Sequence, residues 1–198
     1  GCASRGRIPR LSLTAEDESA LEAKLPKLVN EKQALVVLVP GGAFGPSKLW
    51  PTEHYAQTAD YLVEKHQARV VISVAPNSAE RKIAAQIVRQ ARHPLVNLGD
   101  TPLSLGELKA LIGRADLVIS NDSGPMHIAA ALGRPLIAPF GPTKPKRTGP
   151  YHREESVVRL DIPCSPCYAR RCLHQSCLTW LSVDMVMRAV ENALINQR

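Results

Sequence analysis

The chain has 198 residues, the length of one large domain or two small ones, and its 44% hydrophobic content is that of an ordinary globular protein. Its apolar runs are too short to cross a bilayer and no signal peptide begins it, so we expect a cytosolic protein, and the missing initiator Met indicates a truncated chain. The formal net charge of +7 favours an anionic partner, such as a lipid headgroup, a phosphorylated glycan or a nucleic acid.

Apolar runs of strand length alternate with longer amphipathic stretches, which predicts βαβ units around one parallel sheet. Thr14 and Asp17 form a capping-box signature that opens the first helix, and Ser104 with Glu107 opens a later, shorter one. The other predicted bounds in this half are the end of the first helix near residue 30, strands over 34–39, 69–75 and 95–98, a loop over 40–51, and helices over 52 to about 66 and 78–91.

The second half begins with a strand over 116–120, which leads through a tight turn at 121–124 into a helix that ends near Gly133. A strand over 135–139 follows, then a loop over 140–155, a cysteine-rich loop over 164–177 and a closing amphipathic helix from 182 to about 196. Trp50 and Trp180 are assigned to the core. Without repeats or a low-complexity linker, the chain is predicted to form one doubly wound, Rossmann-like α/β domain over residues 1–198.

In open parallel sheets, ligands bind outside the carboxyl ends of the strands, so the turns that leave those ends are the candidate sites. The first such turn spans residues 40–51, where Gly41 and Gly42 allow a close backbone approach and Lys48 offers a positive charge. The alternative is a flexible loop with a solvated lysine. The turn does not end in Gly-Lys-Ser/Thr, so it is not a Walker A loop.

The second turn joins a strand to a helix through small residues, Ser120 to Gly124, with Pro125 near the first helical position. Free N–H groups at such a helix start attract phosphate, and Ser123 and His127 are spaced to lie on one helix face. These features together predict a site for a diphosphate. The alternative is that residues 121–123 only cap the helix and that His127 is a hydrogen-bonded core histidine.

Together these two turns, about 75 residues apart, resemble glycosyltransferase family 9, the lipopolysaccharide heptosyltransferases. The motifs are Pro-Gly-Gly-Ala-Phe-Gly-Pro-Ser-Lys-Leu-Trp-Pro-Thr-Glu-His-Tyr at 40–55 and Asn-Asp-Ser-Gly-Pro-Met-His-Ile-Ala-Ala-Ala-Leu-Gly-Arg-Pro at 121–135. The segments at 140–143 and 149–151 fit the same pattern, and Cys164-Ser165-Pro166-Cys167 is similar to the heptosyltransferase II branch. The resemblance covers nearly the whole chain.

This resemblance implies the C-terminal, donor-binding half of a two-domain GT-B glycosyltransferase, which transfers heptose from ADP-heptose to the inner core of lipopolysaccharide with inversion. It implies no bound metal or cofactor, peripheral contact with the inner membrane surface, and a catalytic base in an N-terminal, acceptor-binding domain that is absent from this chain. It assigns Lys48 to the donor phosphates and Glu80 to the ribose. The substrate-binding residues are then Gly41, Gly42, Lys48, Glu80, Asp122, Ser123, Gly124 and His127, of which His127 supports the second turn.

The four cysteines at 164, 167, 172 and 177, with His174 among them, could supply a tetrahedral zinc site, because closely spaced cytosolic thiols are natural zinc ligands. Their spacing is not that of a standard zinc finger. Reduced structural thiols or a disulfide formed on purification are the alternatives. We predict that the cluster holds no tightly bound metal.

Two other classes compete with the glycosyltransferase. The basic charge and the cysteine cluster with Arg170 and Arg171 also fit a zinc-containing nucleic-acid-binding module. A dinucleotide-dependent oxidoreductase is the second rival, but no Gly-x-Gly-x-x-Gly follows the first strand.

Overall fold

The computed structural model describes residues 8–29 and 33–195. The strands are β1 (Leu35–Val39), β2 (Arg69–Ile72), β3 (Val96–Asn97), β4 (Leu117–Ser120), β5 (Leu136–Phe140) and β6 (Val157–Arg159). The α-helices are α1 (Ala15–Lys24), α2 (Pro26–Val29), α3 (Thr52–His66), α4 (Ser78–Gln90), α5 (Leu105–Arg114), α6 (Gly124–Ala131), α7 (Pro145–Thr148), α8 (Ser176–Thr179) and α9 (Val183–Ile195), and 3₁₀ turns lie at Pro46–Lys48 and Glu154–Ser156.

The six strands form a sheet in the order β3-β2-β1-β4-β5-β6, and every neighbouring pair is parallel. This is the strand order of a doubly wound nucleotide-binding fold, in which the sheet grows outward in both directions from its first strand. The predicted fold class is therefore confirmed. The order of the strands reverses between β1 and β4, which lie side by side.

The sheet is covered on both faces because its central strands, β1 and β4, are apolar at every position except Ser120. All five residues of β1 are buried. Because successive side chains point to opposite faces, Val36 and Leu38 pack with α3, α4 and α9, whereas Val37 and Val39 pack with α1, α5 and α6. Continuous apolar strands of this kind are typical of parallel sheets with helices on both sides.

The helix starts follow the capping chemistry of the sequence. Thr14 and Asp17 form the predicted capping box of α1, and Ser104 and Glu107 form that of α5. The side chain of Asn77 caps α4 by accepting a hydrogen bond from the Glu80 N–H at 2.9 Å. Caps of this type stabilise a helix by about 1 kcal/mol each.

Four sequence predictions are corrected. The first helix does not run unbroken to residue 30 but ends at Lys24, and a separate turn begins at Pro26, which cannot continue the hydrogen bonding of α1. The second strand ends at Ile72 and not at 75. The predicted loop over 140–155 contains α7, and the unpredicted short strand β6 follows it. Trp50 is buried as expected, but Trp180 is 66% exposed and lies outside the core.

In the ranges 8–29 and 33–195, the helices are all too short or too polar to span a membrane.

Candidate functional site

The two predicted turns meet at the carboxyl ends of β1 and β4. Because these strands are paired in register from Val36 and Leu117 to Val39 and Ser120, the chain leaves both at the same edge of the sheet. This is the point at which the strand order reverses, where the loops of neighbouring strands diverge and leave a crevice.

One buried side chain, Asn121, fixes the two turns against each other. Its amide nitrogen donates to the Pro40 carbonyl at 2.5 Å, directly after β1. Its amide oxygen accepts from the Trp50 backbone N–H at 3.3 Å and from the Tyr55 hydroxyl at 3.0 Å. Burial raises the pKa of the Tyr55 hydroxyl, so this group remains a proton donor to Asn121.

Lys48 is not a solvated lysine. Only 9% of the residue is exposed, and its ammonium nitrogen lies 2.6 Å from Oδ2 of Asp122 and 3.4 Å from the Asp122 carbonyl oxygen. The same Oδ2 accepts from the hydroxyls of Thr143 at 2.5 Å and Thr148 at 3.0 Å. The four side chains thus satisfy one another's charges and hydrogen bonds. We call this set, Lys48, Asp122, Thr143 and Thr148, the Lys48–Asp122 group.

Two cations lie close to the Phe44 ring on this side of the site. The Lys48 nitrogen is 4.6 Å from the centre of the Phe44 ring, and the Arg170 guanidinium carbon is 5.4 Å from it. Cations at these distances are attracted to the negative face of an aromatic ring. The ring therefore helps to hold the lysine of the first turn beside an arginine of the cysteine-rich loop.

The second turn leaves the start of α6 open. Ser123 is the N-cap residue with an extended backbone, but its side chain accepts no hydrogen bond from the helix and instead lies 3.2 Å from the Ser120 hydroxyl. The N–H groups of Gly124 and Met126 belong to the first turn of α6, where no carbonyl of the helix can reach them. Ser123 is thus the N-cap residue of α6 by position, but its side chain supplies no capping hydrogen bond, and the binding of an anion at this helix start stays a prediction.

His127 lies on the exposed surface of α6. The alternative of a core histidine is therefore wrong. The ring of His127 also forms no hydrogen bond with residues 8–29 or 33–195, and its support of the second turn stays a prediction.

A cavity of about 350 Å³ lies beside the two turns. Its walls come from the ends of β1 and β2, the start of α5 and the start of α6, and include Val39, Val74, Leu103 and Leu108. The predicted site residues that line it are Gly41, Gly42, Glu80, Ser123 and Gly124. The predicted residues outside its walls are Lys48, Asp122 and His127.

Glu80 enters this cavity because Gly41 has no side chain. The Glu80 carboxylate accepts from the Ala75 N–H at 2.9 Å and from the Asn77 amide at 3.3 Å, which aims it across the end of β2 toward the first turn. A Cβ on Gly41 would lie 1.9 Å from Oε2 of Glu80. The carboxylate therefore occupies the space that a side chain at 41 would need.

The cysteine-rich loop, residues 164–177, packs on the first turn, a contact that the sequence did not indicate. Ser47 donates through its hydroxyl to the Ala169 carbonyl at 2.5 Å, and the Gln175 amide donates to the carbonyls of Pro46 and Leu49, both at 2.9 Å. Gly45 adopts a positive φ of 145°, and a Cβ there would lie 2.6 Å from the Arg170 carbonyl oxygen.

Comparison with known proteins decides the family. The family model of glycosyltransferase family 9 (heptosyltransferase) matches residues 4–178. The chain belongs to glycosyltransferase family 9. A curated relative in this family is lipooligosaccharide heptosyltransferase 2 of Haemophilus influenzae, which is 36% identical over 160 residues that cover 77% of this chain and 46% of the relative. Lipopolysaccharide heptosyltransferase 2 of Escherichia coli is 35% identical over 134 residues, which cover 67% of this chain and 38% of that protein.

Solved structures agree with this membership. The structure of the E. coli ADP-heptose LPS heptosyltransferase II superposes with a TM-score of 0.79 and 26% identity, over 98% of this chain and 56% of that one. A family 9 glycosyltransferase from Veillonella parvula superposes with a TM-score of 0.76 and 26% identity, over 94% of this chain and 54% of that one. The family 9 chain thus spans about half the length of the relatives that it matches.

The cysteines of this family 9 chain differ in exposure. Cys164 and Cys167 are exposed, Cys172 is partly buried and accepts from the Gln175 N–H at 3.3 Å, and Cys177 is buried. Burial and the neighbouring cysteine sulfurs raise the pKa of the Cys177 thiol. Over the described ranges, His, Cys, Asp and Glu residues form no group of three or more that could hold a metal ion. That the cluster binds no metal stays a prediction.

We predict that Gly41→Ala lowers the free energy of unfolding by about 0.5–1.5 kcal/mol, because the new methyl group displaces the Glu80 carboxylate from its hydrogen bonds with Ala75 and Asn77. In a Glu80→Ala background the same change costs much less, since the obstacle is gone. Gly42→Ala is the matched control, because its Cβ would meet only the Ser123 Cβ, at 3.7 Å. Urea denaturation measures all four variants. If Gly41→Ala lowered the free energy of unfolding equally with and without the Glu80 side chain, the predicted contact between positions 41 and 80 would be contradicted.

For the cysteines we predict that iodoacetamide labels Cys164 and Cys167 first, Cys172 later and Cys177 last, because exposure falls in that order and burial also raises the pKa of the Cys177 thiol. Peptide mass spectrometry against time measures the rates, and labelling in denaturant is the control in which the differences vanish. Slow labelling of Cys164 and Cys167 that a chelator accelerates would instead show a bound metal.

Proposed function

We propose that this chain is the donor-binding half of a heptosyltransferase, which transfers heptose from ADP-heptose to the inner core of lipopolysaccharide with inversion. The observation that carries the proposal is the meeting of two family motifs at one sheet edge, where Asn121 locks them together beside an open cavity. The relatives that match are heptosyltransferases, and one structural neighbour is named for ADP-heptose.

In this proposal the nucleoside occupies the cavity beside the turns. The apolar side chains of Val39, Val74, Leu103 and Leu108 offer a surface for the base. Glu80 presents a carboxylate, which is an acceptor for the two hydroxyls of a ribose. Gly42 and Ser123 lie next to each other in the cavity wall, since a Cβ on Gly42 would lie 3.7 Å from the Ser123 Cβ. The diphosphate then passes over these two small residues to the start of α6.

The diphosphate lies against the free N–H groups of Gly124 and Met126, at the positive end of the α6 dipole. As the bond to the anomeric carbon breaks, negative charge builds up on the diphosphate, and prepositioned donors stabilise it. Lys48 supplies a positive charge at the end of the turn, and Asp122 holds the lysine in place at 2.6 Å. Asp122 has a second carboxylate oxygen, which is left for a hydroxyl of the sugar.

We assign no catalytic residue to this chain. An inverting transfer needs a base that takes the proton of the acceptor hydroxyl. The chain matches about half of its relatives' length, and we place the base and the acceptor site in the part that it does not match, the N-terminal domain of the family. The proposed location is the cytoplasm, with peripheral contact with the inner membrane, where a lipid-borne acceptor would be met.

The nucleic-acid-binding alternative lacks support. The family match extends through the cysteine-rich loop that motivated it. Arg170, one of the two arginines cited for it, lies beside Phe44 of the first turn. The cysteine-rich loop is therefore part of the glycosyltransferase fold.

We predict that Lys48→Ala weakens binding of ADP more than binding of AMP, because the lost charge faces the second phosphate while contacts to the nucleoside remain. Isothermal titration with both nucleotides measures the difference, and we expect at least a tenfold larger loss for ADP, or about 1.4 kcal/mol. Lys82→Ala, an exposed lysine on α4, is the control. If Lys48→Ala weakened the binding of ADP and AMP equally, Lys48 would not contact the phosphates.

We also predict that the 198-residue chain binds ADP yet transfers no heptose to a lipopolysaccharide acceptor. Both turns that hold the donor belong to this chain, whereas the acceptor and its base do not, so binding persists without positioning of the second substrate. Titration with ADP and a transfer assay with ADP-heptose measure the two properties on one preparation. Heptose transfer by this chain would show that one of its own residues acts as the base.

A further inference from the structure

The two carboxylate oxygens of Asp122 have very different surroundings. Oδ2 lies 2.6 Å from the Lys48 ammonium nitrogen and accepts from the hydroxyls of Thr143 at 2.5 Å and Thr148 at 3.0 Å. Oδ1 accepts no hydrogen bond from the part of the chain that the structure describes, although only 7% of Asp122 is exposed. Because carboxylate oxygens this close to full burial are normally hydrogen-bonded, Oδ1 is the atom that a hydroxyl of a ligand would complete.

The three donors on Oδ2 fix the orientation of the Asp122 carboxylate. One carboxylate oxygen offers about two lone pairs, so the ammonium group and the two hydroxyls saturate Oδ2. The last torsion of an aspartate is broad, and a carboxylate without such donors can turn and exchange its two oxygens. With the donors in place, Oδ2 stays beside Lys48 and Oδ1 is left without a partner.

The two threonines lie on a segment that is held from outside the two family turns. Thr143 follows β5 and is 1% exposed, and Thr148 is the last residue of α7. The carbonyl of Pro142, the neighbour of Thr143, accepts from the N–H groups of Cys167 and Tyr168 at 3.0 and 2.8 Å. The hydroxyls that orient Asp122 are therefore positioned by the loop after β5 and by the cysteine-rich loop.

We propose that Thr143 and Thr148 are positioning residues for the sugar of the donor. Resting on the proposed transferase function, they act through Asp122, because they hold Oδ2 beside Lys48 and thereby present Oδ1 to a hydroxyl of the heptose. A carboxylate oxygen only accepts hydrogen bonds, and a sugar hydroxyl can donate one. Neither threonine touches the sugar in this arrangement, so the loop after β5 sets the affinity for the sugar indirectly.

Isothermal titration of the 198-residue chain with ADP and with ADP-heptose tests the proposal, because the ratio of the two affinities isolates the contribution of the sugar. We expect the wild type to bind ADP-heptose about tenfold more tightly than ADP, as for a hydrogen bond to a charged group. Thr143→Val should lower this ratio by about fivefold. It should change the affinity for ADP by less than about twofold, since Lys48 pairs with the carboxylate in either orientation. Thr143→Ser keeps the hydroxyl and should restore the ratio.

A matched control and a second background separate positioning from a general structural effect. Thr58→Val removes a buried hydroxyl of α3 that has no hydrogen-bond partner among the described residues, and it should leave the ratio unchanged. In an Asp122→Ala background, Thr143→Val should also leave the ratio unchanged, because the carboxylate that it orients is gone. Thr148→Val, at the half-buried end of α7, gives the same test should Thr143→Val fail to fold.

Three results would overturn the positioning proposal. They are an unchanged ratio in Thr143→Val and Thr148→Val, an equal loss from Thr143→Val with and without the Asp122 side chain, and a wild type that binds ADP and ADP-heptose equally. In all three the wild type still binds ADP, so the proposed donor site stands. A wild type that binds neither nucleotide contradicts the donor site itself and the positioning that rests on it.

Discussion

The site depends on the hydrogen bonds of one buried amide, that of Asn121. It joins the Pro40 carbonyl, the Trp50 N–H and the Tyr55 hydroxyl, so the exits of β1 and β4 and the start of α3 keep a fixed relation. Without it three buried polar groups would lose their partner, at about 1–3 kcal/mol each. The crevice is therefore set by the protein before any ligand arrives, which is the condition under which fixed donors can stabilise developing charge.

The Lys48–Asp122 group shows how a buried charge is stabilised beside the proposed donor site. A lone ammonium with 9% exposure would be costly, but the carboxylate at 2.6 Å compensates it and two threonine hydroxyls satisfy the carboxylate. Since the pair is neutral overall, we propose that the dipole and N–H groups of α6 supply the fixed attraction for a diphosphate. In this proposal Lys48 contributes where the phosphate competes with Asp122 for the ammonium group.

Local patterns predicted the parts of the fold that local sequence determines. The apolar runs of β1 and β4, the capping residues of α1 and α5 and the glycines of the first turn all lie within a few residues of the structure they specify. The partners of Lys48 could not be found this way, because Asp122 is 74 residues away and the threonines lie farther still. Strand β6 was not predicted because three half-buried residues give no hydrophobic periodicity. The end of α1, by contrast, could have been predicted from Pro26, because a proline cannot continue the hydrogen bonding of a helix.

The contacts of the cysteine-rich loop assign it a structural role that the spacing of its cysteines did not indicate. Sequence spacing raised the question of metal binding, but the loop's hydrogen bonds lead to Pro46, Ser47 and Leu49 of the first turn and to Gly141 and Pro142 after β5. It therefore ties the loop that carries Lys48 to the loop that carries Thr143, the two sides of the Lys48–Asp122 group.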